Sequence, residues 1–271
     1  MKFSFSLIFS LAVFATARKC GTPEPSQEHL EASQTFAQGA ADVENNRQAT
    51  EAAPITISVW FHVLRAGTLV SQGNIPDSQI TAQLDVMNND YTSTRFKFTL
   101  AGITRTTNPS WFYEYDTGSM RAALRRGDYK TLNLYSQNLT NDNFGYCNFP
   151  NKPTASVIQD DGCAIHYDTT PGGSIENYNL GRTATHETGH WLGLYHTFEG
   201  GCTGGDYISD TPAIKTPTKG CPAGKNTCTG PSYPGDDPIH NFMDWSYDAC
   251  MTEFTPGQAT RMVQMWKKYR A

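Results

Sequence analysis

The sequence predicts an α+β fold: helices packed on a mixed, twisted sheet, with an irregular, disulfide-linked subdomain at the C-terminal end. Three observations predict it. Alternating β-branched runs and apolar-faced helical segments follow one another in the order strand, helix, strands, helix. A stretch from beyond His196 to about Pro238 is rich in Gly, Pro, Thr and Asp and holds no periodic pattern, and loops of that length inside a domain are functional or cross-linked. Four of the seven cysteines fall from residue 202 onward, where cross-links replace helix and sheet as the support.

Taken in order, the chain opens with Lys2, an apolar run from Phe3 to Phe14 broken only by serines, and Ala15-Thr16-Ala17. This is a secretory signal peptide over residues 1–17, cleaved after Ala17, because the run is too short to span a bilayer. No later segment is apolar enough for a membrane helix, so the product is expected to be secreted and extracellular. Residues 18–53 are rich in Glu, Gln, Ala, Ser and Pro, with only Leu30, Phe36 and Val43 as sizeable apolar residues. Such a segment has no core of its own. It reads as a propeptide, the alternative being a loose N-terminal tail. The folded domain then covers residues 54–271.

Ile55 to Val63 alternates and is β-branched, a strand in which His62 reads as a packed histidine. Asp77 is placed to cap a helix whose apolar face is Ile80, Leu84, Met87 and Tyr91. Phe96, Phe98 and Leu100 alternate as a second strand, Thr131 to Tyr135 forms a weaker third, and Cys163 to Tyr167 another. A helix follows over about Thr183 to Leu192. Thr255-Pro256 starts a last helix with Met262, Val263, Trp266 and Tyr269 on its apolar face.

The helix at 183–192 carries the chemistry. Residues 186–196 read HETGHWLGLYH, the pattern HExxHxxGxxH. His186 and His190 lie one turn apart on one helix face, so two imidazoles can grip one ion. Gly193 permits the turn that ends the helix and brings His196 in as a third ligand. Three nitrogen ligands leave a fourth position for water, the open geometry of a catalytic zinc ion. Glu187, beside the first ligand, can reach that water as general base without being a ligand itself. A surface helix with incidental histidines would have to place three of the chain's seven histidines within eleven residues. A zinc-binding protein that cuts nothing is the alternative from another class, but pure metal binding does not call for Glu187.

The net charge is −5 and no basic cluster exists, which argues against a nucleic-acid partner. Seven cysteines in a secreted chain are expected to be mostly oxidised, one being left over. Cys20 stands apart. Cys147, Cys163, Cys202, Cys221, Cys228 and Cys250 form an even set, for which the sequence alone allows fifteen pairings. Asn138-Leu139-Thr140 is a glycosylation sequon, placing Asn138 at the surface.

Several separated motifs then agree in order. Gly181-Arg182-Thr183-Ala184 precedes the metal motif, and Thr197-Phe198-Glu199-Gly200-Gly201-Cys202 follows it. Downstream come Asp210-Thr211-Pro212, Asn241-Phe242-Met243-Asp244-Trp245, Asp248-Ala249-Cys250-Met251 and Phe254-Thr255-Pro256-Gly257-Gln258. Together they resemble the pappalysin family of metzincin zinc peptidases, especially its small ulilysin-like branch and secreted fungal metalloproteases. The likeness is good over roughly residues 160–270 and looser before. It implies a zinc metalloendopeptidase with a metzincin-like fold, acting as a monomer on protein or peptide substrates. It also implies Met243 in a turn beneath the metal, and the disulfides Cys147–Cys163, Cys202–Cys228 and Cys221–Cys250. Arg18-Lys19-Cys20-Gly21-Thr22-Pro23 resembles the latency segment of this branch, in which Cys20 takes the open zinc position. A calcium ion near the cleft is implied as well, with Asp206, Asp210 and Thr211 as candidate oxygen ligands; solvated loop acids that cap turns are the alternative. One residue departs from the pattern: Trp245 stands where the family usually has tyrosine, and an indole offers an N–H donor but no oxygen.

Overall fold

A computed structural model of the chain describes residues 19–39 and 53–271. The segment assigned to the signal peptide and Val43 lie outside the described residues. The sheet is built around β2 (Ile55–Arg65), which runs between β3 (Phe96–Thr107) and β4 (Leu132–Gln137). Ile57, Val59, Phe61 and Val63 are fully buried along β2, and so are His62 and Leu64 between them. A strand covered on both faces loses its polar alternation. His62 Nε2 donates to Asn133 Oδ1 (3.0 Å), its Nδ1 accepts from Thr104 Oγ1 (2.8 Å), and the ring stacks on Tyr135. Burial holds its pKa down to about 4, as befits a packed neutral imidazole.

Next to β4 lies β6 (Cys163–His166), then β5 (Asn143–Cys147), then β1 (Lys19–Cys20) on the outside. β5 runs antiparallel to β6, and the other pairings are parallel, so the sheet is mixed, as expected. The sequence reading did not place β5, because Asn143-Phe144-Gly145-Tyr146-Cys147 carries a glycine at its centre. Nor did it place a helix in residues 18–53, yet α1 (Gln27–Gly39) forms there. The buried residues of α1 are His29, Ala32 and Ser33, with Leu30 only half-buried, so it carries no conventional apolar stripe.

α2 (Asp77–Asp90) buries Ile80, Leu84 and Met87, and Tyr91 closes the same face. Its predicted cap is corrected: Pro76 occupies the N-cap position and Asp77 is the first helical residue, its carboxylate paired instead with Arg105 across the sheet edge. Three short helices follow, α3 (Pro109–Phe112), α4 (Thr117–Leu124) and α5 (Ala155–Asp160), and a single turn, α7 (Gly201–Gly204), lies in the irregular region. The last helix, α8 in chain order (Pro256–Tyr269), starts with a capping box between Thr255 and Gln258. It buries Met262, Val263, Trp266 and Tyr269 as core. Beyond it Arg270 binds both oxygens of Asp161 (2.8 and 2.9 Å) and lies 3.8 Å over Trp191, whose indole donates to the same carboxylate. The end of the chain is thereby fastened to the helix that carries the metal motif.

Candidate active site

That helix, α6 (Arg182–Trp191), is held at both ends and along its length. At its N-terminus Asp248 Oδ2 accepts from Leu180 N (2.9 Å) and Arg182 N (3.3 Å), placing an acid where the helix dipole favours one. Along its flank Tyr91 donates to Thr185 O (2.9 Å), and Thr185 Oγ1 donates to Asp90 (2.6 Å), which also pairs with Arg182. Burial pushes the Asp90 carboxyl up to about 6, against the pull of Thr185 and Arg182. At the C-terminus Gly193 adopts φ 95°, with Gly193 N donating to His190 O and Leu194 N to Gly189 O, both at 2.9 Å. This left-handed Schellman ending reverses the chain within three residues and returns His196 to the helix face.

The three imidazoles converge. His190 Nε2 lies 3.1 Å from His186 Nε2 and 3.2 Å from His196 Nε2. His186 Nδ1 faces Phe242 O and His190 Nδ1 faces Leu194 O, each at 2.7 Å. A carbonyl only accepts, so the proton sits on Nδ1 and Nε2 carries the lone pair aimed at the common centre. The spacing fits a tetrahedral ion with Zn–N of about 2.0–2.1 Å. Cys20 joins the group: together with the three histidines it places ligand atoms within 4.8 Å of one another. Its Sγ is 3.5 Å from His190 Nε2 and 3.5 Å from Glu187 Oε2. Glu187 is fully buried, between α6 and β5.

Below the histidines, Met243 is fully buried against Gly189, where any side chain would meet its sulfur. Met243 N donates to Asn241 Oδ1 (2.9 Å), and Asn241 exchanges two amide hydrogen bonds with Gln258 of α8 (2.8 and 2.9 Å). Trp245 sets its ring edge-on to His196 (5.6 Å between centroids) and to Phe198 (5.1 Å), and its indole N–H has no acceptor among the described residues. Glu199, which the sequence reading had quoted only as part of a motif, places Oε2 3.6 Å from His196 Nδ1.

The remaining candidates contribute no atom to the group formed by Cys20 and the three histidines. Disulfides close Cys147–Cys163, Cys202–Cys228 and Cys221–Cys250, the last two tying the irregular region to itself and to the turn after Met243. Asp206 is buried, its Oδ1 taking Ile208 N (3.1 Å), and the Thr211 hydroxyl is placed toward the same carboxylate. Burial pushes the Asp206 carboxyl up to about 7, opposed by Ile208 N–H, the Thr211 hydroxyl and then the Arg261 charge. Asp210 points elsewhere: its oxygens accept from Thr255 Oγ1 (2.7 Å) and Gly257 N (2.8 Å), capping α8. Asn138 is half-buried, and its carboxamide oxygen accepts from His166 Nε2 (3.0 Å). Two contacts escaped the sequence reading. Thr22 Oγ1 donates to Glu187 Oε2 (3.2 Å) while accepting from Cys147 N (3.0 Å). Gly145 packs directly on Glu187. Neither leaves a signal beyond a glycine inside a strand.

A three-histidine centre on an HExxHxxGxxH helix, over a methionine turn and under a mixed sheet, defines a metalloendopeptidase of the metzincin type. Residues 121–267 match the family described as Pregnancy-associated plasma protein-A (Peptidase_M43), and the chain belongs to this pappalysin family. It is 48% identical over 256 residues to an extracellular metalloprotease of Neurospora crassa, covering 93% of this chain and 89% of the relative. It is 47% identical over 283 residues to one of Colletotrichum graminicola, covering 100% of both. Tannerella forsythia promirolysin matches with a TM-score of 0.71 and 30% identity over 93% of this chain and 94% of its own. Mature mirolysin, solved in complex with a cleaved peptide, matches at 0.65 and 33% over 78% of this chain and 91% of its own.

Proposed function

We propose that the chain is a secreted zinc endopeptidase made as a latent precursor, with Glu187 as general base and acid. The observation that carries this reading is the convergence of His186, His190 and His196 through their Nε2 atoms, with the Glu187 carboxylate beside them. Zinc, when bound by these three histidines, acidifies water and polarises a carbonyl. The protein's own residues do the rest. Glu187, shielded from bulk water, takes a proton as a peptide carbonyl is attacked and delivers it to the leaving amine. Phe242 O and Leu194 O fix the ring orientations of two ligands, and Met243 supports them from below. Trp245 packs beside His196 and supplies no hydroxyl. The outer edge of β5 offers Gly145 O and Cys147 N to an extended peptide; in this structure they are taken by Gly21 N (2.8 Å) and Thr22 Oγ1.

Latency follows from the same geometry. Residues 18–53 act as a propeptide, and Cys20 places a soft thiolate ligand against the histidines, where it excludes water from the open position. Residues 1–17 are the signal peptide. Secretion is supported by relatives named as extracellular, protein or peptide substrates by the cleaved peptide on mirolysin. Asn138 is the expected glycan site. For calcium, Asp206 and Thr211 bring buried oxygens toward one another that a cation could take, whereas Asp210 serves α8.

The test is cleavage of casein by the processed protein, with and without a zinc chelator, beside Glu187→Ala. Removing Glu187 should lower turnover by a factor of about 100 or more while one zinc per chain remains. Most activity surviving in Glu187→Ala would remove Glu187 as the base. A protein that holds zinc and cuts nothing would favour a non-catalytic binding role.

A further inference from the structure

We propose that Gly145 is a positioning residue for Glu187: the missing side chain on the rim strand is the slot in which the Glu187 carboxylate rests. The inference relies on the reading of Glu187 as general base.

Gly145 is buried in the middle of β5, and its φ is not among the positive values that call for glycine. Toward β6 the strand is regular, with Gly145, Tyr146 and Cys147 pairing in unbroken register with Ile165, Ala164 and Cys163. Toward β1 the register shifts between Asn143 and Gly145, but with its φ outside the positive region Gly145 is not required by that irregularity. A glycine inside a regular strand weakens that strand and commonly marks a close approach by another group. Here the approaching group is identified. A Cβ at residue 145 would lie 2.5 Å from Glu187 Cγ, 2.6 Å from Oε1 and 2.7 Å from Cδ, and these are its three nearest atoms. The strand cannot yield, because the Cys147–Cys163 disulfide and the β6 ladder hold it. α6 cannot yield either, being braced by Asp90, Tyr91 and Asp248. The one flexible partner is the Glu187 side chain itself. Even a methyl group would drive the carboxylate off the rim strand, and a displacement of about 1 Å at a proton-transfer group is enough to cost roughly a hundredfold in rate.

The test uses Gly145→Ala, Glu187→Ala and the double variant, each as the processed enzyme. Gly145→Ala is expected to lower kcat roughly a hundredfold, with KM and zinc content little changed. Aspartate would not serve as the partner change, because its Cγ keeps the place of the Glu187 Cγ that the new methyl meets first. Alanine ends at Cβ and clears the new methyl. Adding Gly145→Ala to Glu187→Ala should therefore leave the residual kcat little changed, a clear departure from additivity. The melting temperature of the metal-free protein gives a readout independent of turnover: if Gly145→Ala lowers it in the wild type, it should not lower it in Glu187→Ala, because the clash is with Glu187. Losses that simply multiply, a Gly145→Ala enzyme with wild-type kcat, or a lowered melting temperature that persists in the Glu187→Ala background would overturn the proposal. Full activity in Glu187→Ala would instead overturn the general-base reading on which it stands.

Discussion

Acid should loosen α1 from the domain, and His29 sets the size of the effect. His29 is fully buried, with Nδ1 2.7 Å from Tyr195 Oη and its ring against Phe149 and Tyr195 at 4.8 and 5.3 Å between centroids. Burial, then the charge of Arg261, lowers its pKa from 6.5 to about 3 in the docked helix. Once α1 detaches the imidazole returns to about 6.5. The docked pKa is the depressed one, so docking favours neutral His29. That stabilisation is complete above about pH 6.5 and is lost as the pH falls from there toward 3. At about pH 5 the gap is about 1.5 pH units, or about 2 kcal/mol, a factor of roughly 30 in the docking equilibrium. Any docked pKa below about 4 yields the same figure, so the magnitude does not depend on the depth of the depression. Hydrogen exchange read by mass spectrometry, corrected for intrinsic rates, measures it on the full-length chain. Protection of residues 27–39 should fall about 30-fold between about pH 7.5 and about pH 5, with β4 changing much less. His29→Phe keeps the ring and removes the proton site, so it should abolish the dependence. Equal protection at both pH values, or the same fall in His29→Phe, would refute the reasoning.

Cys20→Ala should raise casein cleavage by the unprocessed chain, and no rise would end the case for Cys20 as the latency ligand. Asp161→Ala leaves the Arg270 guanidinium buried without its carboxylate, which should lower stability by about 3–5 kcal/mol and the melting temperature by roughly 10 °C; calorimetry showing a shift of only a degree or two would contradict that account. A calcium chelator that spares zinc should lower the melting temperature, and Asp206→Ala should remove the response. Because burial lifts the Asp206 carboxyl to about 7 and calcium needs its anion, the calcium effect should grow as pH rises through 7. An unchanged melting temperature on chelation would remove calcium from the site.

The elements legible in the sequence are those whose partners are their own neighbours in the chain. β2 announces itself by its β-branched alternation, α6 by the spacing of its histidines, and α8 by the Thr255-Pro256 start and its apolar face; the structure closes that start with a capping box to Gln258. His186, His190 and His196 are legible for the same reason, since one turn of helix and one glycine ending place all three. What escaped depends on the shape of a distant segment. α1 buries a histidine, an alanine and a serine, a face that has no apolar period and makes sense only against Tyr195 and Phe149. β5 breaks the strand pattern with Gly145, which makes sense only against Glu187. Asp77 looked like a cap because acids favour that place, but Pro76 held it and Arg105 on a neighbouring strand took the charge. The two long-range features share a cause. β5 faces the metal helix, and α1 packs on α8 and on Tyr195 just past the end of that helix, so their residues suit Glu187 or Tyr195 rather than strand or helix propensity. A segment that reads as poor helix or poor strand, yet folds as one, is therefore a pointer to the residue it fits.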